Sequence, residues 1–150
     1  MNAGTATLPL SGTSRRSTWK SVGAVAAGFA TVVVGSLGTD QVLHVLDVYP
    51  PWGQAMHEPS LNLLALSYRV AFTVLASYLT ARLAPHSPMR HAWILGFVGL
   101  FLGSVGVITT LPMKFGPAWY PIAIALTALP CAWLGGWYAA KQLEERDAAP

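Results

Sequence analysis

Polar residues gather in short clusters along this chain, and four long apolar stretches separate them. Residues 21–39 are uncharged between Lys20 and Asp40; residues 59–81 carry one charge, Arg69; residues 92–113 and 115–140 carry none. A hydrocarbon core about 30 Å thick is crossed by about 20 helical residues at 1.5 Å each, so each stretch suffices for one spanning helix. The pattern predicts an all-α fold, a bundle of four transmembrane helices over about residues 20–46, 61–83, 91–111 and 117–139. Residues 1–18, rich in Ser, Thr, Gly and Ala, read as a disordered cytoplasmic tail. Residues 19–140 then form the membrane domain, and 141–150 a second cytoplasmic tail.

The connections divide the helices into two hairpins. Segment 47–60, DVYPPWGQAMHEPS, joins helices 1 and 2, and a shorter turn around Pro112, Lys114, Gly116 and Pro117 joins helices 3 and 4. Between the hairpins, Pro85 and Pro88 end one helix before the next begins. Tyr49-Pro50-Pro51-Trp52-Gly53 reads as a stiff turn, because two prolines restrict it, or as a small apolar lid. Pro130 lies inside helix 4, where it removes a backbone bond and predicts a kink, with Thr127 placed to satisfy a freed carbonyl.

Glycines mark the packing faces. Helix 3 spaces Gly96, Gly99, Gly103 and Gly106 by 3, 4 and 3, one side of a helix stripped of side chains. Helix 1 carries Gly28, Thr31, Gly35 and Gly38, each 68 positions earlier, with Phe29/Phe97 and Ser36/Ser104 in the same relation. The match is compatible with a duplicated hairpin or with shared packing demands. Helices in lipid associate through such small-residue faces, so helices 1 and 3 are expected to form the tight centre of the bundle.

Composition narrows the setting. Hydrophobic residues make up 53% of the chain and charged residues 10%, against roughly 25% charged in soluble domains. The net charge of +3 does not indicate nucleic acid as a partner, since the basic residues sit at span ends rather than in a stripe. Arg15, Arg16, Lys20, Arg82, Arg90, Lys141 and Arg146 fall on one side and Lys114 on the other. The positive-inside rule then puts both termini in the cytoplasm of a bacterial inner-membrane protein. Trp19, Trp93 and Trp137 at inner ends and Trp52 and Trp119 at outer ends fit interfacial anchoring. Ser14-Arg15-Arg16-Ser17-Thr18-Trp19-Lys20 approaches a twin-arginine export signal but departs from it at two positions. A single cysteine, Cys131, allows no internal disulfide.

Ionisable groups within a membrane are costly and call for a partner or a use. Arg69 lies about 12 Å below the start of helix 2 and Asp40 about 9 Å below the end of helix 1, so the two can meet across the hairpin, with Tyr68, Gln41 or Ser67 adding hydrogen bonds. The pair reads as a salt bridge that sets the hairpin register, or as part of a proton or anion pathway. Asp40, His44 and Asp47, at i, i+4 and i+7 and followed by His57 and Glu58, form a candidate polar vestibule or divalent-metal site. The same residues read equally as polar groups capping a helix end. His86 and His91 read as solvated loop residues. No G-x-S-x-G, P-loop, paired cysteines or intramembrane acidic pair is present, and no cofactor is called for.

Three strings stand out together: GTDQVLHVLDVYPPWG at 38–53; Tyr68-Arg69 with Tyr78 and ARLAP at 81–85; and GPAWYPIAIALTALPCAWLGG at 116–136. They resemble those of a group of small, functionally uncharacterised four-helix inner-membrane proteins of bacteria, over roughly residues 19–137. The resemblance implies a fold and a location and brings no activity. In length and helix number the chain is also similar to small multidrug exporters, but helix 1 lacks their mid-span glutamate. The expected role is that of a non-enzymatic structural or accessory membrane protein, in a homo-oligomer or beside a larger membrane partner. The alternative is a subunit of a small-solute or ion transporter or channel with a vestibule facing the periplasm.

Overall fold

The computed structural model of the protein describes residues 12–149, with side chains from residue 17 onward. Among them are four helices and no strand: α1 (Gly12–Val45), α2 (Pro59–Leu83), α3 (Pro88–Thr110) and α4 (Trp119–Ala148). All four are long and apolar enough to cross a membrane, and the protein is a multi-pass membrane protein. Prolines open α2 and α3 at their first turns, where the missing N–H would have no helical partner anyway. The break between these helices turns at Ser87, in the left-handed region with φ 45°.

Part of the stretch expected to be disordered is helical, and α4 continues into the C-terminal tail. Residues 12–18 belong to α1 and residues 141–148 to α4, while residues 1–11 lie outside the described residues. Nothing in 141–148 breaks a helix, and Lys141 and Glu145 form an i,i+4 pair at 3.9 Å. α4 runs unbroken through Pro130. The Thr127 hydroxyl bonds Ala123 O at 2.8 Å and Ile124 O at 3.1 Å, not the carbonyl four residues before the proline.

Both hairpin turns lie at one end, where the Met56 amide donates to Phe115 O at 2.7 Å. The helix termini of the chain share the other end with the α2–α3 turn. There Ser17 Oγ meets His86 Nδ1 at 3.4 Å, and Tyr78 and Arg82 both bond Gln142 Oε1, at 2.7 and 3.3 Å. We call these the loop end and the terminal end.

The packing order corrects the expected centre. α4 packs tightly on both α2 and α3, α1 packs on α2, and α1 meets α3 only sparingly. The glycine faces close the hairpins: a Cβ at Gly28 would overlap Thr80 Oγ1, and one at Gly35 would stand 2.6 Å from the Phe72 ring, both on α2. A Cβ at Gly96 would lie 2.6 Å from Ala132 Cβ, and one at Gly103 3.0 Å from Ala125 Cα, both on α4. Gly99 makes only ordinary contact with Ala128, and Gly38 and Gly106 face open space. α4 approaches the α2 backbone where Gly135 lies against the Val74 carbonyl and Ser77. Its neighbour Gly136 faces Ala92 of α3. Ala76, Ala81, Ala92, Ala132 and Ala139 are wholly buried around this crossing. Small side chains let the backbones approach, and dispersion and close packing hold helices together where lipid supplies no hydrophobic drive.

Candidate functional site

The site is built by the way α1 ends. The helix stops at Val45, and the amides of Val48 and Tyr49 return to Leu43 O at 3.0 and 3.1 Å. Asp47 takes the left-handed conformation, φ 56°, which aspartate tolerates better than most residues. This reversal carries Tyr49 back into the bundle, where it is 4% exposed. Its hydroxyl lies 3.3 Å from both Leu61 O and the Tyr68 hydroxyl.

Asp40, one and a half turns before the end of α1, is 6% exposed and paired with Arg69 of α2: Nη2 donates to Oδ2 at 2.6 Å. Tyr68 donates its hydroxyl hydrogen to Asp40 Oδ1 and accepts from Arg69 Nη1 at 2.9 Å. The guanidinium lies 5.2 Å from the Tyr68 ring centre and 5.9 Å from that of Tyr120 on α4, within cation–π range. Asp40, Arg69 and the hydroxyls of Tyr49 and Tyr68 thus form one hydrogen-bonded cluster at the loop end, with the Tyr120 ring beside it. Burial raises the pKa of the Tyr49 hydroxyl above its ordinary value, with the Asp40 charge acting in the same direction. Tyr49 is therefore a neutral donor at physiological pH.

Above this cluster lies a cavity of about 320 Å³, roofed by residues 50–54 and reaching Asp40, Arg69 and Tyr120. The YPPWG turn covers the cluster, pinned by Trp52, whose ring stacks on His44 at 3.9 Å and 3°. Gly53, at φ 84°, makes the turn that lets the roof close.

The other expected residues disperse. His44 directs Nδ1 to the Asp40 backbone oxygen at 2.7 Å and its ring to Tyr49 and Trp52. Asp47 has left the helical face and is exposed. His57 and Glu58 are exposed at the start of α2, where Glu58 accepts from Ser60 at 3.2 Å. Among the described residues no group of three His, Cys, Asp or Glu is placed to hold a metal ion. The i, i+4, i+7 spacing fails because the helix ends before its third member. Ser67 bonds Leu64 O and Gln41 is exposed, so only Tyr68 of the three expected helpers joins the pair. His91 is not a solvated loop residue: it lies in the first turn of α3, 5% exposed, with Nδ1 3.2 Å from Ser87 O.

Sequence reasoning missed Tyr120 and Asn62. Tyr120 sits in WYP at the start of α4, where it reads as one more interfacial aromatic. Asn62, 2% exposed, gives both Nδ2 hydrogens to the carbonyls of Met56 and Glu58 and so ties segment 47–58 to α2. A lone asparagine in the first turn of an apolar helix was the available signal. No family model, no curated protein and no solved structure matches the chain.

Proposed function

We propose that this chain is a non-enzymatic structural or accessory protein of the bacterial inner membrane, with both termini cytoplasmic and the loop end periplasmic. It belongs, on this reading, with the small four-helix inner-membrane proteins that its motifs resemble. The orientation is supported by seven Lys and Arg residues flanking the terminal end against Lys114 at the loop end. The observation that carries the role is how the intramembrane charges are used. Asp40 and Arg69 neutralise each other, Tyr68 occupies the second carboxylate oxygen, and toward the terminal end the bundle is filled by Ala76, Ala132 and the Gly135 crossing. A pair held in this way sets the register of the α1–α2 hairpin. The exposed apolar faces of α1 and α3, Val34, Phe101 and Ile108 among them, suit lipid, a second copy or a larger membrane partner.

The second reading, a small-solute or ion transporter subunit, draws on the cavity that reaches Arg69 beneath the YPPWG turn. Proteoliposomes decide between them. The accessory role predicts proton and anion fluxes equal to those of protein-free vesicles. A flux that appears with the protein and vanishes in Arg69→Gln would establish the transporter reading instead.

A further inference from the structure

A second cavity adjoins the one under the turn. Met56, Phe115 and Tyr120 line both, and the second is the larger at about 500 Å³, inside the range of roughly 300–1,000 Å³ typical of small-ligand sites. On α3 the lining runs from Leu111 to Leu95, about 24 Å at 1.5 Å per residue. One wall is the α3 face bearing Gly99, Gly103 and Gly106; Phe29 and Val32 of α1 stand across from it. Because α1 and α3 meet only sparingly, around Gly28 and Leu95, the space between them faces the hydrocarbon of the bilayer.

This cleft is apolar along its length and polar at one end. Thr73 and Thr110 spend their hydroxyl hydrogens on carbonyls of their own helices. At the loop end, by contrast, hydrogen-bonding capacity is left over. Asn62, 2% exposed, has both Nδ2 hydrogens engaged and no donor to Oδ1 among the described residues. The Tyr120 hydroxyl makes no hydrogen bond to a described residue, although its ring contacts Arg69. Arg69 engages three of its five N–H donors. The Asn62 amide belongs to a residue lining a cavity large enough to admit a donor. The Asp40–Arg69 pair, meanwhile, presents the polar cavity with one charge of each sign.

We propose that these two adjoining cavities bind a zwitterionic phospholipid drawn sideways from the bilayer. One acyl chain lies in the cleft between α1 and α3, and the head group lies under the 50–54 turn. Its phosphodiester meets the free donors of Arg69 and Tyr120, and its ammonium meets the Asp40 side. A long, narrow, glycine-walled cleft fits a flexible chain, and a net-neutral ion pair favours a head group carrying both charges over a bare anion. The proposal goes beyond the accessory role and is tested apart from it.

The full chain is reconstituted in nanodiscs of equal parts phosphatidylethanolamine and phosphatidylglycerol, released, and weighed by native mass spectrometry. One phosphatidylethanolamine retained per chain is expected, with phosphatidylglycerol retained about tenfold less. Gly106→Leu fills the cleft from a position with nothing within 4 Å of a Cβ, and retention should fall about tenfold at an unchanged melting temperature. Tyr120→Phe removes a hydroxyl that bonds no described residue and should lower retention about tenfold, the worth of one hydrogen bond to a charged group. No retained lipid, equal retention of phosphatidylglycerol, or full retention in either variant overturns the proposal. Should Gly106→Leu not fold, Tyr120→Phe decides alone.

Discussion

Asp40 and Arg69 are each unfavourable in the membrane alone and tolerable together, since either charge left by itself has lost its water and gained no partner. Removing one member of such a buried pair costs about 3–5 kcal/mol. Asp40→Asn and Arg69→Gln should each lower stability in detergent by about that much, while the double variant recovers part of the loss because no unpaired charge remains. Chemical unfolding of the four proteins measures this, and strictly additive losses would mean that the pair is not energetically coupled. Tyr49 is a smaller contributor in the same cluster. Its one hydroxyl hydrogen serves Leu61 O and the Tyr68 hydroxyl, so Tyr49→Phe should cost about 1 kcal/mol. An unchanged unfolding midpoint would show that the turn holds its place by packing alone.

At the scale of helices, glycines with the same sequence signature do different things. Gly28 and Gly96 admit a side chain or Cβ from the partner helix of their own hairpin, Gly35 and Gly103 do likewise, and Gly38 and Gly106 touch nothing. Members of each pair are 68 positions apart and share a role, which is what two parallel copies of one hairpin would produce. The same geometry separates tolerant from intolerant positions. Gly103→Leu drives a side chain into the Ala125 backbone and should destabilise by about 1–3 kcal/mol or more, as overpacking does. Gly38→Ala adds a Cβ into open space and should be neutral or stabilise by up to about 1 kcal/mol, because glycine is a poor helix former. Melting temperatures in detergent distinguish the two, and equal loss at both positions would remove the packing role from Gly103. Gly135 is the most demanding: its Cβ would overlap the Val74 carbonyl, so even Gly135→Ala should weaken the α2–α4 crossing.

For the whole molecule, α2 is the element that contacts all three others, and α1 is held chiefly through it while α4 packs on α2 and α3. That arrangement leaves α1 and α3 apart toward the loop end and puts the 500 Å³ cleft between them. Orientation is open to direct measurement. A cysteine at Gln54 should react with an impermeant maleimide added to intact cells or spheroplasts, and one at Asn2 should react only after permeabilisation. The native Cys131, 6% exposed in α4, should stay silent in both. Reaction of the Asn2 site from outside would reverse the assignment.

The number of helices was legible in the sequence because it depends on length and polarity alone, quantities that a bilayer reads residue by residue. The starts of α2 and α3, expected near 61 and 91, lie at Pro59 and Pro88, because proline is tolerated in a helix's first turn. The meeting of Asp40 and Arg69 was within reach because two antiparallel helices joined by one turn have a register that helical rise can count. Which faces pack was not. In water an apolar stripe points to the core, but in lipid the surroundings are as apolar as the interior, so hydrophobic periodicity carries no direction. Glycine spacing shows that some partner comes close without showing whether it is α2, α3 or α4. The polar constellation failed at Asp47 for a related reason: its spacing assumes a helix that the turn at 46–49 ends. Tyr49 and Tyr120 became neighbours of Arg69 only through that turn and the α2–α4 crossing. Contacts between distant residues depend on tertiary shape, and only the folded bundle decided them.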